Sequence, residues 1–277
     1  MPGTCLTSST SYRATDGSEL PLLVFEPGDG TPPRAGVVLF HGGALRGGSP
    51  HGLAPHCRAL ASRGILAVSA GYRLLGLGAT SIDDCLADVR RAVAQFGRLA
   101  ASRGLAASQL ASGGSSAGAH LAMLAALTPS RAAPEPGVAA VVALNPAGLN
   151  LGVRTADAQR RLERQVGLDA GRLIEYSLIE RVRPGNPPTQ IHHGTRDEVE
   201  PIDCARRFRD AMARAGNECA LLEYEDAEHG FHYPGDGGHF DDVIDATALF
   251  LLGRPGRRNT AHGGSAGSEV ARRRGAV

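Results

Sequence analysis

The stretch LASGGSSAGAH, Leu110–His120, sets two adjacent serines in a glycine-rich turn directly ahead of an apolar run. The pattern Gly-x-Ser-x-Gly fits Gly114–Gly118 with Ser116 at its centre. A serine held on a sharp strand-to-helix turn is lifted above a sheet, and its neighbours must be small because the backbone bends so tightly. The helix that follows aims its positive N-terminus at the same place. The N–H of Ala117 is then placed to stabilise an oxyanion, while Ser115 points elsewhere. The pattern alone is weak. GGSAG, Gly263–Gly267, also matches around Ser265, but no strand precedes it and no apolar helix follows, so it reads as coincidence.

A hydroxyl becomes a nucleophile only with a base, an acid that orients the base, and donors for the developing negative charge. On a sheet of this type the chain order is serine, then acid, then histidine. Asp197 in HHGTRDEVEP and His229 in EDAEHGFHY supply that order after Ser116. Glu198 and Glu200 share the loop of Asp197 and read as solvated. His232 and His239 are rivals of His229, and together the three histidines could hold a metal, but no matching carboxylate set is visible, so no metal is expected. FHGGALRGG, residues 40–48, offers backbone N–H groups: Gly43 and Ala44 are the expected donors beside Ala117, Gly42 shapes the turn, and His41 braces the loop rather than acting as a base.

These residues need a frame. Short β-like runs at 21–26, 36–41, 65–72, 138–145, 188–194 and 220–225 read as strands, and 109–115 as a strand that ends in a turn. Helical spacing covers 52–64, 81–104, 117–127, 156–166, 204–216 and 241–252. Ser81 caps the longest helix, with Asp84 three residues on. Continuous apolar strands separated by helices imply a mostly parallel sheet covered on both faces. Such sheets carry their sites at the carboxyl ends of the strands, where Ser116, Asp197 and His229 each fall. Residues 147–187 are less regular and read as a short insert that could form a minimal lid and an acyl pocket.

The chain has 277 residues and 42% apolar content, enough for one large α/β domain over 1–253. The formal charge is +1, which gives no case for nucleic acid. All 29 basic residues are arginine, so Schiff-base lysines, Ser-Lys dyads and P-loops are excluded. Five cysteines at wide spacing form no CxxC, which argues against zinc or redox motifs. The first residues lack a signal-peptide pattern and no run is long enough to span a bilayer, so a reduced, cytoplasmic setting without membrane contact is expected. Residues 254–277, with six arginines and one glutamate, read as a disordered tail. A homodimer is left open.

HGGALRGG, GGSSAGAH, GTRDEVEP and EHGF occur in the order seen in the α/β-hydrolase superfamily, over about residues 20–253. With AGYRL and SIDDCLADVRRAV, the chain resembles the small HGG-motif esterases: acetyl-esterase and hormone-sensitive-lipase-like enzymes, and bacterial feruloyl- and acetyl-xylan-esterase-like enzymes. The resemblance implies hydrolysis of short acyl or aromatic esters without a cofactor. It departs at Ala44, often a third glycine in the family, and at Leu45, often aromatic. Arylformamidases and prolyl-oligopeptidase-like peptidases use similar motifs, and a non-catalytic receptor on this fold is a further alternative. Receptors of that kind usually lose a triad residue, and none is lost here.

Overall fold

Every run expected as a strand or helix forms one. The structure, a computed structural model, describes residues 4–28, 30–128, 137–153, 156–235 and 238–253. The arginine-rich segment 254–277 and Ser265 lie outside the described residues. In chain order the strands are β1 (Cys5–Arg13), β2 (Glu19–Pro27), β3 (Ala35–Phe40), β4 (Ile65–Ala70), β5 (Leu74–Leu75), β6 (Gly78–Ala79), β7 (Leu110–Ser115), β8 (Ala140–Leu144), β9 (Thr189–Gly194) and β10 (Cys219–Tyr224). The α-helices are α1 (Ala54–Ala61), α2 (Ile82–Ser102), α3 (Ala117–Leu127), α4 (Ala156–Val166), α5 (Ala170–Leu173), α6 (Ile202–Arg214) and α7 (Phe240–Leu252).

Eight strands form one sheet in the order β1-β2-β4-β3-β7-β8-β9-β10. β2 runs antiparallel to β1 and β4, and from β4 onward every pair is parallel. Parallel neighbours require crossovers, and the helices supply them on both faces. The period-two alternation of β3 shows how: Val38 and Phe40 join a core under α2, α3 and α6, while Val37 and Leu39 join a second core under α1 and α7. β3, β4 and β8, buried on both faces, are almost wholly apolar, which makes them legible.

β1 was not expected. CLTSSTSYR is polar, mostly exposed and without an apolar face; its pairing with β2 alone makes it an edge strand. α2 begins as read: the Ser81 hydroxyl accepts from the N–H of Asp84, and the Asp84 carboxylate accepts from the N–H of Ser81. The same helix carries Asp88, which is buried and grips Arg73 through two hydrogen bonds of 2.8 and 2.9 Å. Among the described residues no helix is long and apolar enough to cross a membrane.

Candidate active site

The chain turns from β7 into α3 at Ser116, whose backbone sits at φ +51°, ψ −118°. A non-glycine residue in that region is strained by about 1–3 kcal/mol and persists only where its surroundings enforce it. Close packing enforces it here. A side-chain carbon on Gly114 would lie 2.3 Å from the Phe40 carbonyl oxygen, and one on Gly118 2.2 Å from the same atom. The Ser116 N–H donates to Leu144 O at 3.0 Å and its carbonyl accepts from His120 N.

The structure brings Ser116, His229 and Asp197 together. Ser116 Oγ lies 2.9 Å from His229 Nε2, and His229 Nδ1 lies 2.7 Å from Asp197 Oδ2. Asp197 Oδ1 accepts from the N–H groups of Val199 and Glu200, both at 2.9 Å. Burial pushes the Asp197 carboxyl up, but the hydrogen bond and charge of His229, the Glu200 N–H and His193 hold it below the usual range. A carboxylate only accepts, so His229 Nδ1 carries the proton; in the neutral ring Nε2 then presents its lone pair to the serine. The two loops are stitched together as well: Thr195 N donates to Tyr224 O and Arg196 N to Ala227 O.

A second serine–histidine pair stands directly behind the first. Ser115 Oγ lies 3.0 Å from His232 Nε2, and both residues are buried. The proton directions are reversed. His56 Nε2 contacts both the His232 carbonyl oxygen at 3.0 Å and His232 Nδ1 at 2.9 Å. A carbonyl only accepts, so His56 Nε2 must be N–H, and a neutral His232 must present its Nδ1 lone pair. His232 Nε2 then donates to Ser115, which also accepts from the Tyr233 hydroxyl at 3.3 Å. Burial lowers the pKa of His56 to about 4 and that of His232 strongly, so both rings stay neutral. Ser115 is therefore held as an acceptor, whereas Ser116 faces a base. His239, the other rival, packs edge-on to Tyr224 and Phe231 instead.

The loop after β3 lies against this turn. A side-chain carbon on Gly42 would be 3.2 Å from Ser116 Cβ. Gly43, Ala44 and Leu45 all have positive φ, at 115°, 56° and 63°. The Gly43 carbonyl accepts from the N–H groups of Arg46 and Gly47, and the Leu45 carbonyl from that of Leu75. His41 stacks on Tyr72 with centroids 4.5 Å apart and donates from Nδ1 to Gly42 O; the Tyr72 hydroxyl donates to His41 O. The adjoining Arg73–Asp88 pair anchors this support. Ala117 occupies the first turn of α3, where a helix offers its N–H no internal acceptor.

One expectation is corrected. Glu200 is not solvated: it is fully buried, and its carboxylate accepts from the N–H groups of Gly148, Leu149 and Asn150 at 3.1, 3.0 and 3.4 Å. Three converging donors replace the water such a group would otherwise require. Glu198 is exposed as expected. The irregular segment is also tied down, since His120 Nε2 donates to Tyr176 O at 2.7 Å and Leu149, Leu151, Tyr176 and Leu178 join the core. Asn145, whose amide nitrogen lies 3.0 Å from His229 Nε2, was missed. Its position immediately after β8, at the carboxyl end of a strand, was the available signal.

Solved structures share this architecture. Esterase 2 of Thermogutta terrifontis with propionate bound is 32% identical, with a TM-score of 0.76 over 89% of this chain and 94% of that one. The same esterase phosphonylated by sarin is 30% identical, with a TM-score of 0.78 over the same shares. Fold and likeness together define the class, the esterases of the α/β-hydrolase superfamily. Esterase LipC of Mycobacterium tuberculosis is 37% identical over 78 residues, which are 28% of this chain and 19% of that protein's length. The sequence signature of the BD-FAE family matches residues 22–212, and the chain belongs to that family.

Proposed function

We propose that this esterase cleaves short-chain carboxylic esters through an acyl-enzyme on Ser116. As Ser116 Oγ attacks the acyl carbon, its proton passes to His229 Nε2, and Asp197 keeps Nδ1 protonated and stabilises the imidazolium. The N–H groups of Ala117, Gly43 and Ala44 receive the oxyanion. The intermediate collapses, the alkoxide leaves with the proton from His229, and an alcohol is released. Water then attacks the acyl-enzyme while His229 again takes the proton; the acid departs and Ser116 is restored. The observation that carries this reading is the pair of hydrogen bonds Ser116 Oγ–His229 Nε2 and His229 Nδ1–Asp197 Oδ2, whose proton directions suit a base.

The substrate is read as a small molecule. Propionate in esterase 2 of Thermogutta terrifontis is a three-carbon acid, and the closely packed segment after β8 favours a short acyl group here. The test is a p-nitrophenyl ester series extended with acetylated sugars, feruloyl esters and N-formylkynurenine. Activity should peak at about two to four acyl carbons and fall beyond about eight, each misfit methylene altering kcat/KM by about tenfold or more. Preference for a palmitoyl ester, or for the formyl amide, would overturn the assignment.

A further inference from the structure

Asn145 combines two local costs. Its backbone has φ +37°, in the left-handed region, and its Oδ1 is buried with no hydrogen-bond partner among the described residues. Asparagine tolerates such a φ better than most side chains, but a buried, unpaired carbonyl forfeits the hydrogen bonds it would make in water. Costs of this kind gather at functional sites, and here both fall on a residue that touches His229. Asn145 Nδ2 lies 3.0 Å from His229 Nε2 and 3.3 Å from Nδ1. Both ring nitrogens are already engaged in the ring plane, by Ser116 and Asp197. An atom near both nitrogens cannot share that plane without overlapping the carbon between them. The amide therefore covers a face of the imidazole.

We propose that Asn145 is a positioning residue for ester hydrolysis, clamping the face of His229 so that Nε2 stays aimed at Ser116 and answering the charge of the ring as it takes the proton. The proposal rests on the reading of His229 as the base. An amide N–H over a neutral ring meets its π electrons, whereas over an imidazolium it meets positive charge. The last torsion of asparagine is soft and roughly two-fold, so a half-turn exchanges Nδ2 for Oδ1. The orphaned oxygen then faces the imidazolium, and its partner is supplied only when the ring is charged. The other groups around His229 are Asp197 and Ser116 in contact, His193 behind Asp197 at 3.4 Å, and His232 on the same turn.

Two variants test this. Asn145→Gly removes the amide and fits the positive φ without strain, so folding is kept. Its kcat should fall by about 10- to 100-fold with KM little changed, since a loosened base is misaimed rather than lost. Its Tm should stay near wild type. Asn145→Asp keeps the shape and sets a carboxylate against the ring. The acid limb of kcat/KM should move up by about one to three pH units, because an adjacent negative charge favours the imidazolium. Wild-type kcat in Asn145→Gly, or an unmoved acid limb in Asn145→Asp, overturns the proposal. His229→Ala separates the two readings: if it keeps wild-type activity and the same acid limb, it is the assignment of the base that fails.

Discussion

Acid should loosen this protein well before its carboxylates titrate, and the buried histidines set the size of the effect. Burial lowers the pKa of His192 to about 3 and of His56 to about 4, against 6.5 in an exposed chain. The His192 ring is satisfied as a neutral group, with Nδ1 accepting from the Tyr224 hydroxyl at 2.7 Å and Nε2 donating to Gln190 Oε1 at 3.0 Å. Unfolding exposes both rings. As pH falls through about 6.5, the unfolded chain takes up protons that the native state refuses, so stability declines. By pH 5 each histidine should have cost about 2 kcal/mol relative to pH 7, at about 1.4 kcal/mol per pH unit below the unfolded value. The decline continues until the native rings titrate near pH 3 to 4. The two together remove about 4 kcal/mol by pH 5, a large part of a typical stability of about 5–15 kcal/mol. His232 acts in the same direction. Urea unfolding at pH 7 and pH 5 measures this, and His56→Gln and His192→Gln should each reduce the pH dependence by about 2 kcal/mol while retaining a donor in place of Nε2. Equal stability at the two pH values, or variants with the same slope as wild type, would refute the reasoning.

The two adjacent serines should separate cleanly in kinetics. Ser116→Ala should lower kcat by about 10⁴-fold or more, whereas Ser115→Ala removes the acceptor of His232 Nε2–H and of the Tyr233 hydroxyl, costs about 1–3 kcal/mol of stability, and keeps kcat within about tenfold. Glu200→Ala should strip the acceptor from the N–H groups of Gly148, Leu149 and Asn150, costing about 3 kcal/mol or more in chemical unfolding, while Glu198→Gln should change neither Tm nor kcat.

Much of the fold is legible because each segment is dominated by one physical constraint. A strand buried on both faces tends to be apolar along its length, so β3, β4 and β8 announce themselves, whereas β9, TQIHHG, is just as buried but carries Gln190, His192 and His193, which hydrogen-bond inside the fold. The Ser81–Asp84 capping box needs only local spacing. Ser116, Asp197 and His229 are expected from the Gly-x-Ser-x-Gly pattern and the serine–acid–histidine chain order, and each falls at the carboxyl end of a strand, where sites on a parallel sheet gather. β1 escaped because its polar residues have no buried face and its strand character comes wholly from hydrogen bonds to β2.

The residue types and their order along the chain thus determined the architecture, the nucleophile, the base and the acid as expectations. What the tertiary structure alone decided is the direction of each proton and the company of each charge. Nothing in GGSSAGAH says that Ser115 meets His232, 117 positions away, or that His232 meets His56, 176 positions away. Nothing in TRDEVEP says that Glu200 turns inward to gather three N–H groups while Glu198 stays in water. A histidine's tautomer and a carboxylate's burial depend on which donors and acceptors face them, and those partners come from distant strands and loops. Composition and local spacing carry no record of them until the sheet brings them within hydrogen-bonding distance.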